Sequence, residues 1–178
     1  MQNSTANNLL DRFLESAQAA GATVEISPRN VQDLAASLLK ATADDEKVLF
    51  ARPDSISMEL FEIFIRDRKV IVKPTNEELS SVTTGVTDAF SAVASTGSLC
   101  VSISENLGSP VSLLTRKHVA VLDSRTIVPN PRDVFESDEA NNLRRSFSFI
   151  TGPSATADMG PLVKGVHGPG QLHIIVLE

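Results

Sequence analysis

Apolar positions recur with two different periods along the chain, and the change of period divides it. In the first 72 residues helix and strand patterns alternate. Leu9, Leu10, Phe13, Leu14 and Ala17 fall at helical spacing, with Gly21 as a stop signal. Thr23 to Ile26 reads as a short strand. Val31, Leu34, Ala35, Leu38 and Leu39 make an i, i+3, i+4, i+7, i+8 stripe behind Pro28, the clearest helix in the chain. Lys47 to Ala51 is a compact strand followed by Arg52-Pro53-Asp54-Ser55. Ile56, Leu60, Ile63 and Phe64 predict another helix, capped by Asp54 or Ser55. Lys69 to Val72 is a further strand, ended by Lys73-Pro74. Strands alternating with helices imply right-handed crossovers and a parallel sheet.

From Thr75 to Thr115 there is no Lys or Arg, and short apolar runs follow closely. Ala89 to Ala94, Ser98 to Ile103, Val111 to Leu114 and His118 to Leu122 predict adjacent strands or hairpins. Their turns fall at Ser95-Thr96-Gly97 and Asn106-Leu107-Gly108. Asn130 to Asn142 is polar and acidic, an exposed helix or excursion. Ser146 to Ile150 and Leu172 to Leu177 are the last two strands. No repeat, low-complexity tract or linker interrupts the pattern, so residues 1–178 are expected to form a single domain.

Composition narrows the function classes. The 178 residues are 42% hydrophobic and 21% charged, the balance of a soluble globular domain. A net charge of -6 argues against a nucleic-acid binder that grips the phosphate backbone. One cysteine, Cys100, allows no intrachain disulfide and no four-cysteine metal site. The three histidines, His118, His167 and His173, form no pair at metal-ligand spacing, so no metal site is expected. The N-terminal stretch has no basic region leading into an apolar one, and no 18-residue apolar run exists, which suits a cytoplasmic protein without a membrane span.

The candidate chemistry concentrates between the last two strands. Residues 151–170 hold five of the nine glycines and three of the nine prolines. So long a connection is uncommon in a compact domain unless it has a function. Gly152 and Gly168 let backbone approach a ligand closely, Ser154 and Thr156 add hydroxyls, and Asp158 and His167 can titrate or orient. The plainer alternative is that these residues only turn corners. In a doubly wound sheet ligands sit beyond the carboxyl ends of the strands. Arg52, Lys73 and the Thr151–Ser154 segment are therefore expected on one rim, with the two cations and loop donors suiting a small anion. Thr96 and Gly97 are a second candidate, in a tight turn. Ser154, His167 and Asp158 match a hydrolytic triad in composition, but no nucleophile elbow surrounds the serine, so no catalytic residue is assigned.

Phe149-Ile-Thr-Gly-Pro-Ser-Ala-Thr-Ala-Asp-Met159 followed by Gly165-Val-His-Gly-Pro-Gly-Gln-Leu-His-Ile-Ile-Val-Leu-Glu178 closely resembles the C-terminal signature of the LUD domain family, that of lactate utilization protein C. Ala92 to Leu99, His118 to Leu122 and Ile127-Val-Pro129 resemble further family blocks in the same order. The resemblance implies an α/β three-layer sandwich with a largely parallel sheet, like the sugar-phosphate isomerase and CoA transferase fold. It implies a subunit of an iron–sulfur-dependent system that oxidises L-lactate to pyruvate, with no cofactor in this chain and the iron–sulfur clusters on partner proteins. It marks Thr96, Gly97, Gly152, Pro153, Ser154, Thr156, Asp158, Gly165, His167, Gly168 and Pro169 as signature positions. Ser95 and Gly160 stand where the family usually has acids. The competing reading is a stand-alone protein or enzyme acting on a phosphosugar or CoA ester, which the fold permits but does not argue for.

Overall fold

The structure, a computed structural model, describes residues 2–136, 146–158 and 160–178, with side chains described from residue 8 onward. Twelve strands are placed among these residues. They are β1 (Thr23–Ser27), β2 (Val48–Phe50), β3 (Val70–Ile71), β4 (Thr84–Ala89), β5 (Ser91–Val93), β6 (Ser98–Ile103), β7 (Lys117–Asp123), β8 (Ile127–Val128), β9 (Ser146–Thr151), β10 (Ala155–Thr156), β11 (Val163–Lys164) and β12 (Gln171–Leu177). The helices are α1 (Gln2–Ala19), α2 (Val31–Ala41), α3 (Asn76–Ser81), α4 (Gly108–Leu114) and α5 (Pro131–Glu136).

Six strands form one sheet in the order β1-β12-β7-β4-β2-β3, and every neighbouring pair is parallel. Strands covered on both faces should read as unbroken apolar runs. Val119, Ala120, Val121 and Leu122 of β7 do so, each without exposed surface. On one face Leu34 and Leu38 of α2 pack with Phe61 and Phe64 against Val119, Val121 and Ile175. Burying each of these leucines contributes roughly 1.5–3 kcal/mol. The Asn30 side chain caps α2 by accepting the Asp33 N–H at 2.9 Å. On the other face Phe13 and Ala17 of α1 meet Ala120, Leu122 and Ile174, together with Leu99 and Val101 of a smaller sheet. That sheet has the order β8-β5-β6-β9. The fold is thus a three-layer α/β arrangement around a parallel sheet, as the alternation of patterns predicts.

Two local expectations fail, and a third is met as far as the described residues reach. Val111 to Leu114 lies in helix α4, not in a strand, because Val111 and Ser112 bury one face of a short turn against β4. Ile56 to Phe64 does not make an α-helix but two 3-10 segments, Met58–Phe61 and Phe64–Arg66. Its supposed caps are engaged elsewhere: the N–H groups of Asp54, Ser55 and Ile56 and the Ser55 hydroxyl all point at the Asp88 carboxylate, at 3.0, 2.8, 3.2 and 2.7 Å. The acidic excursion is helical only over α5, and the rest of it lies outside the described residues.

Candidate functional site

The segment 151–170 lands at the amino edge of the parallel sheet. It leaves β9, which runs antiparallel to β6 in the smaller sheet, and it feeds β12, whose first residue Gln171 pairs with Lys117 at the start of β7. The carboxyl end of β9 therefore faces the opposite edge from the carboxyl ends of the large sheet. This corrects the expectation of one shared rim. Arg52 and Lys73 follow β2 and β3 at the carboxyl edge, where both are exposed, and neither lines the cavity described below. The ligand pocket expected from those two cations and the loop together is not assembled.

The loop is held in place by two close backbone approaches. Gly152 and Gly97 both have φ +66°, and an added Cβ would lie 2.1 Å from the Ala20 carbonyl oxygen and 2.3 Å from the Ala17 nitrogen, respectively. Only glycine meets both demands, a left-handed backbone and contact with the end of α1. A hydroxyl chain ties the same region together. Thr96 Oγ1 and Ser98 Oγ are 2.6 Å apart, and Ser98 Oγ and Thr151 Oγ1 are 2.7 Å apart. The two limbs of the loop are clasped by the Ser154 N–H donating to the Pro169 carbonyl at 2.8 Å and the Gly165 N–H donating to the Ser154 carbonyl at 2.9 Å.

Between this clasp, α4 and the sheet lies a cavity of about 340 Å³. Its lining includes Gly152, Ser154, His167 and Gly168 from the loop, Leu113 from α4 and His118 from β7. Thr156 and Asp158 are not part of it. They bond one another at 3.0 Å on the surface and stabilise the loop's own turn. Thr96 and Gly97 also stand outside the lining and act through Ser98 and Thr151. Among the described residues no hydrogen bond joins Ser154 to His167 or His167 to Asp158, so the triad is not formed.

His118 is the residue that sequence reasoning passed over. Its imidazole is fully buried, and Nε2 lies 2.8 Å from the Thr87 hydroxyl. Nδ1 is buried without a hydrogen-bond partner in the protein. Burial pushes its pKa down to about 4, so the ring is neutral at pH 7. A buried polar atom left unpaired costs about 1–3 kcal/mol, and His118 is among the residues that line the cavity. The available signal was a histidine opening an otherwise apolar strand. His167 is exposed, so the two imidazoles sit at different depths of one cavity. Among the described residues no Lys or Arg lines it.

Other candidate chemistry is absent or buried. No group of three or more His, Cys, Asp or Glu side chains able to hold a metal occurs among the described residues. Cys100 packs with Phe90, Val93 and Val134, and burial pushes its thiol up to about 12. No described helix is long and apolar enough to cross a membrane.

The architecture is that of a parallel α/β domain carrying a glycine- and proline-rich crossing folded over a cavity at the amino edge of its sheet. The model of the LUD domain family matches residues 2–177, and the chain belongs to that family. Among curated proteins it is similar to lactate utilization protein C of Bacillus subtilis (strain 168), 32% identical over 100 residues, which are 53% of this chain and 42% of that protein. The protein of the same name from Halalkalibacterium halodurans is 32% identical over 108 residues, covering 57% of this chain and 47% of the relative. The chain thus matches less than half the length of each. A crystal structure of a DUF162 family protein from Deinococcus radiodurans superposes with a TM-score of 0.71 over 97% of this chain and 98% of that one, at 19% identity, a likeness of fold.

Proposed function

We propose that this chain serves lactate utilization as a cluster-free component of a system that oxidises L-lactate to pyruvate, and that the cavity under residues 151–170 receives a small organic acid. The observation that carries the reading is a cavity covered by the segment that bears the family signature, with His118, whose Nδ1 has no partner in the protein, among its lining residues. The names of the curated relatives supply the metabolic setting.

A 2-hydroxy acid suits these groups. A hydroxyl both donates and accepts, so it satisfies Nδ1 in either tautomer. The Ser154 hydroxyl and the His167 imidazole are the polar groups available to a carboxylate nearer solvent, and Leu113 and Leu172 offer apolar contact to a methyl group. Oxidation of lactate to pyruvate releases two electrons and two protons. With its one cysteine buried, this chain offers no thiolate set to carry them, so the electrons are assigned to iron–sulfur partner proteins. The test is twofold. The chain, tagged and co-expressed with the iron–sulfur proteins of a lactate-oxidising system, should co-purify with them and restore growth on L-lactate to a strain lacking its lactate utilization protein C. Stable expression with neither outcome would overturn the reading.

A further inference from the structure

At the other edge of the sheet a second cleft, of about 350 Å³, is built from four separate strand ends. Arg29 follows β1, Asp123 ends β7 with Arg125 and Thr126 directly after it, Ser55 and Ile56 follow β2, and Ala89 ends β4. This is the carboxyl edge, where parallel α/β sheets hold their ligands. Neither Arg29 nor Arg125 was singled out by the sequence pattern, because they are far apart in the chain and belong to no motif.

The charges in this cleft do not balance. The Asp123 side chain, only 9% exposed, is bonded by both arginines. Arg125 donates to it through Nε at 2.9 Å, Nη2 at 2.7 Å and its backbone N–H at 3.1 Å. Arg29 reaches the same carboxylate through Nη1. Two guanidiniums thus share one carboxylate, so the residues lining the cleft carry one positive charge beyond Asp123, with Glu178 adjacent, its backbone oxygen accepting the Arg29 backbone N–H at 2.9 Å. Burial first, and then the Arg125 charge, hold the Arg29 guanidinium below its ordinary pKa. A guanidinium has five N–H donors, and Asp123 engages only some of those on each side chain. Both arginines line the cleft and keep donors that Asp123 does not take up.

The opposite wall is fixed in advance. Asp88 gathers the N–H groups of residues 54–56 and the Ser55 hydroxyl, so the loop beside the arginines is locked before any ligand arrives. Preorganisation of this kind lowers the entropy lost on binding. Ile56 and Ala89 give the cleft an apolar side. Paired guanidiniums at a fixed spacing recognise planar or tetrahedral oxyanions through forked hydrogen bonds.

We propose that Arg29 and Arg125, positioned by Asp123, form a binding site for the phosphate or carboxylate group of a small metabolite at the carboxyl edge of the sheet. This site is separate from the cavity under residues 151–170 and does not depend on the lactate reading. Asp123 is a positioning residue here, fixing both guanidiniums beside the cleft.

The test uses the whole chain and calorimetric titration with inorganic phosphate and with acetate, against sodium chloride at equal ionic strength. Saturable binding of phosphate or acetate is expected, with no saturable effect of chloride. The anion that binds distinguishes a phosphoryl group from a carboxylate. Arg125→Gln should weaken that binding at least tenfold while leaving the Arg29–Asp123 pair and the fold intact, as shown by an unchanged circular dichroism spectrum. Arg29→Gln should weaken it as strongly, and its thermal midpoint reports whether Asp123 has lost support. Absence of saturable binding of both anions, or unchanged affinity in folded Arg125→Gln, would overturn the proposal and leave the three residues as a structural ion cluster.

Discussion

Replacing His118 with phenylalanine separates a titration from a packing effect. The imidazole is fully buried, and its pKa falls from 6.5 to about 4 on folding. Above pH 6.5 neither the folded nor the unfolded chain protonates this ring, so it costs nothing there. As pH falls from about 6.5 toward 4 the unfolded chain binds a proton that the folded chain refuses, and stability is lost. Each unit of difference is worth about 1.4 kcal/mol, so the loss attributable to this one side chain approaches about 3 kcal/mol by pH 4. Against a total stability of about 5–15 kcal/mol that is a large share. Phenylalanine keeps the shape and removes the titration; at neutral pH the unpaired Thr87 hydroxyl costs about 1–3 kcal/mol, and loss of the unpartnered Nδ1 offsets this by a similar amount. Glu25, His173 and the other titrating groups are common to both chains and cancel in the difference. The assay is urea unfolding from pH 4.5 to 7.5 followed by far-ultraviolet circular dichroism, since the sequence contains no Trp or Tyr to report by fluorescence. Whatever its stability at pH 7.5, the variant should gain on the wild type steadily below pH 6.5. A difference that stays constant across the range would show that His118 is not buried and neutral as described.

Gly152→Ala should cost about 3 kcal/mol or more, since the methyl group meets the Ala20 carbonyl and the backbone is left-handed; the thermal midpoint should fall by about 6–12 °C, and a fall under about 2 °C would refute the close approach. Asp88→Ala strands three backbone N–H groups, and should lower stability by roughly 2–4 kcal/mol and open residues 54–56 to limited proteolysis; unchanged cleavage would show that the loop is held by something else. Cys100, fully buried with its thiol pushed up to about 12, should react with a thiol reagent at pH 8 only after denaturation, and rapid labelling of the native protein would contradict its packing. Arg52→Ala should change stability by no more than about 0.5 kcal/mol in urea unfolding, as for an exposed side chain with no partner among the described residues.

What could be read from the sequence was what repeats locally. The stripe from Val31 to Leu39 became α2, and the β-branched runs became buried parallel strands, because a helix face or a doubly covered strand leaves its period in the chain. What could not be read was which sheet a strand joins. Ser146 to Ile150 was recognisable as a strand, yet its pairing with β6 decides that the Gly152 loop sits at the amino edge and away from Arg52 and Lys73. Likewise Ile56 to Phe64 has a helical period, but Asp88, more than 30 positions away, claims the donors at its start. The candidate site was legible as a loop composition and illegible as a cavity, since its floor, His118, comes from a strand that the local pattern marks only as core.

The position of β12 has a further consequence for biosynthesis. The first strand, β1, touches no strand of the large sheet except β12, which is wedged between it and β7. On a ribosome, residues 23–27 are therefore stranded without a neighbour until residues 171–177 have emerged, some 145 positions later. A nascent chain stalled before that point carries an open slot flanked by two unpaired edges, a natural recruitment point for chaperones and a hazard for self-association. β12 is thus the strand that joins β1 to the rest of the sheet, and the crossing that leads into it meets the end of α1 at Gly152.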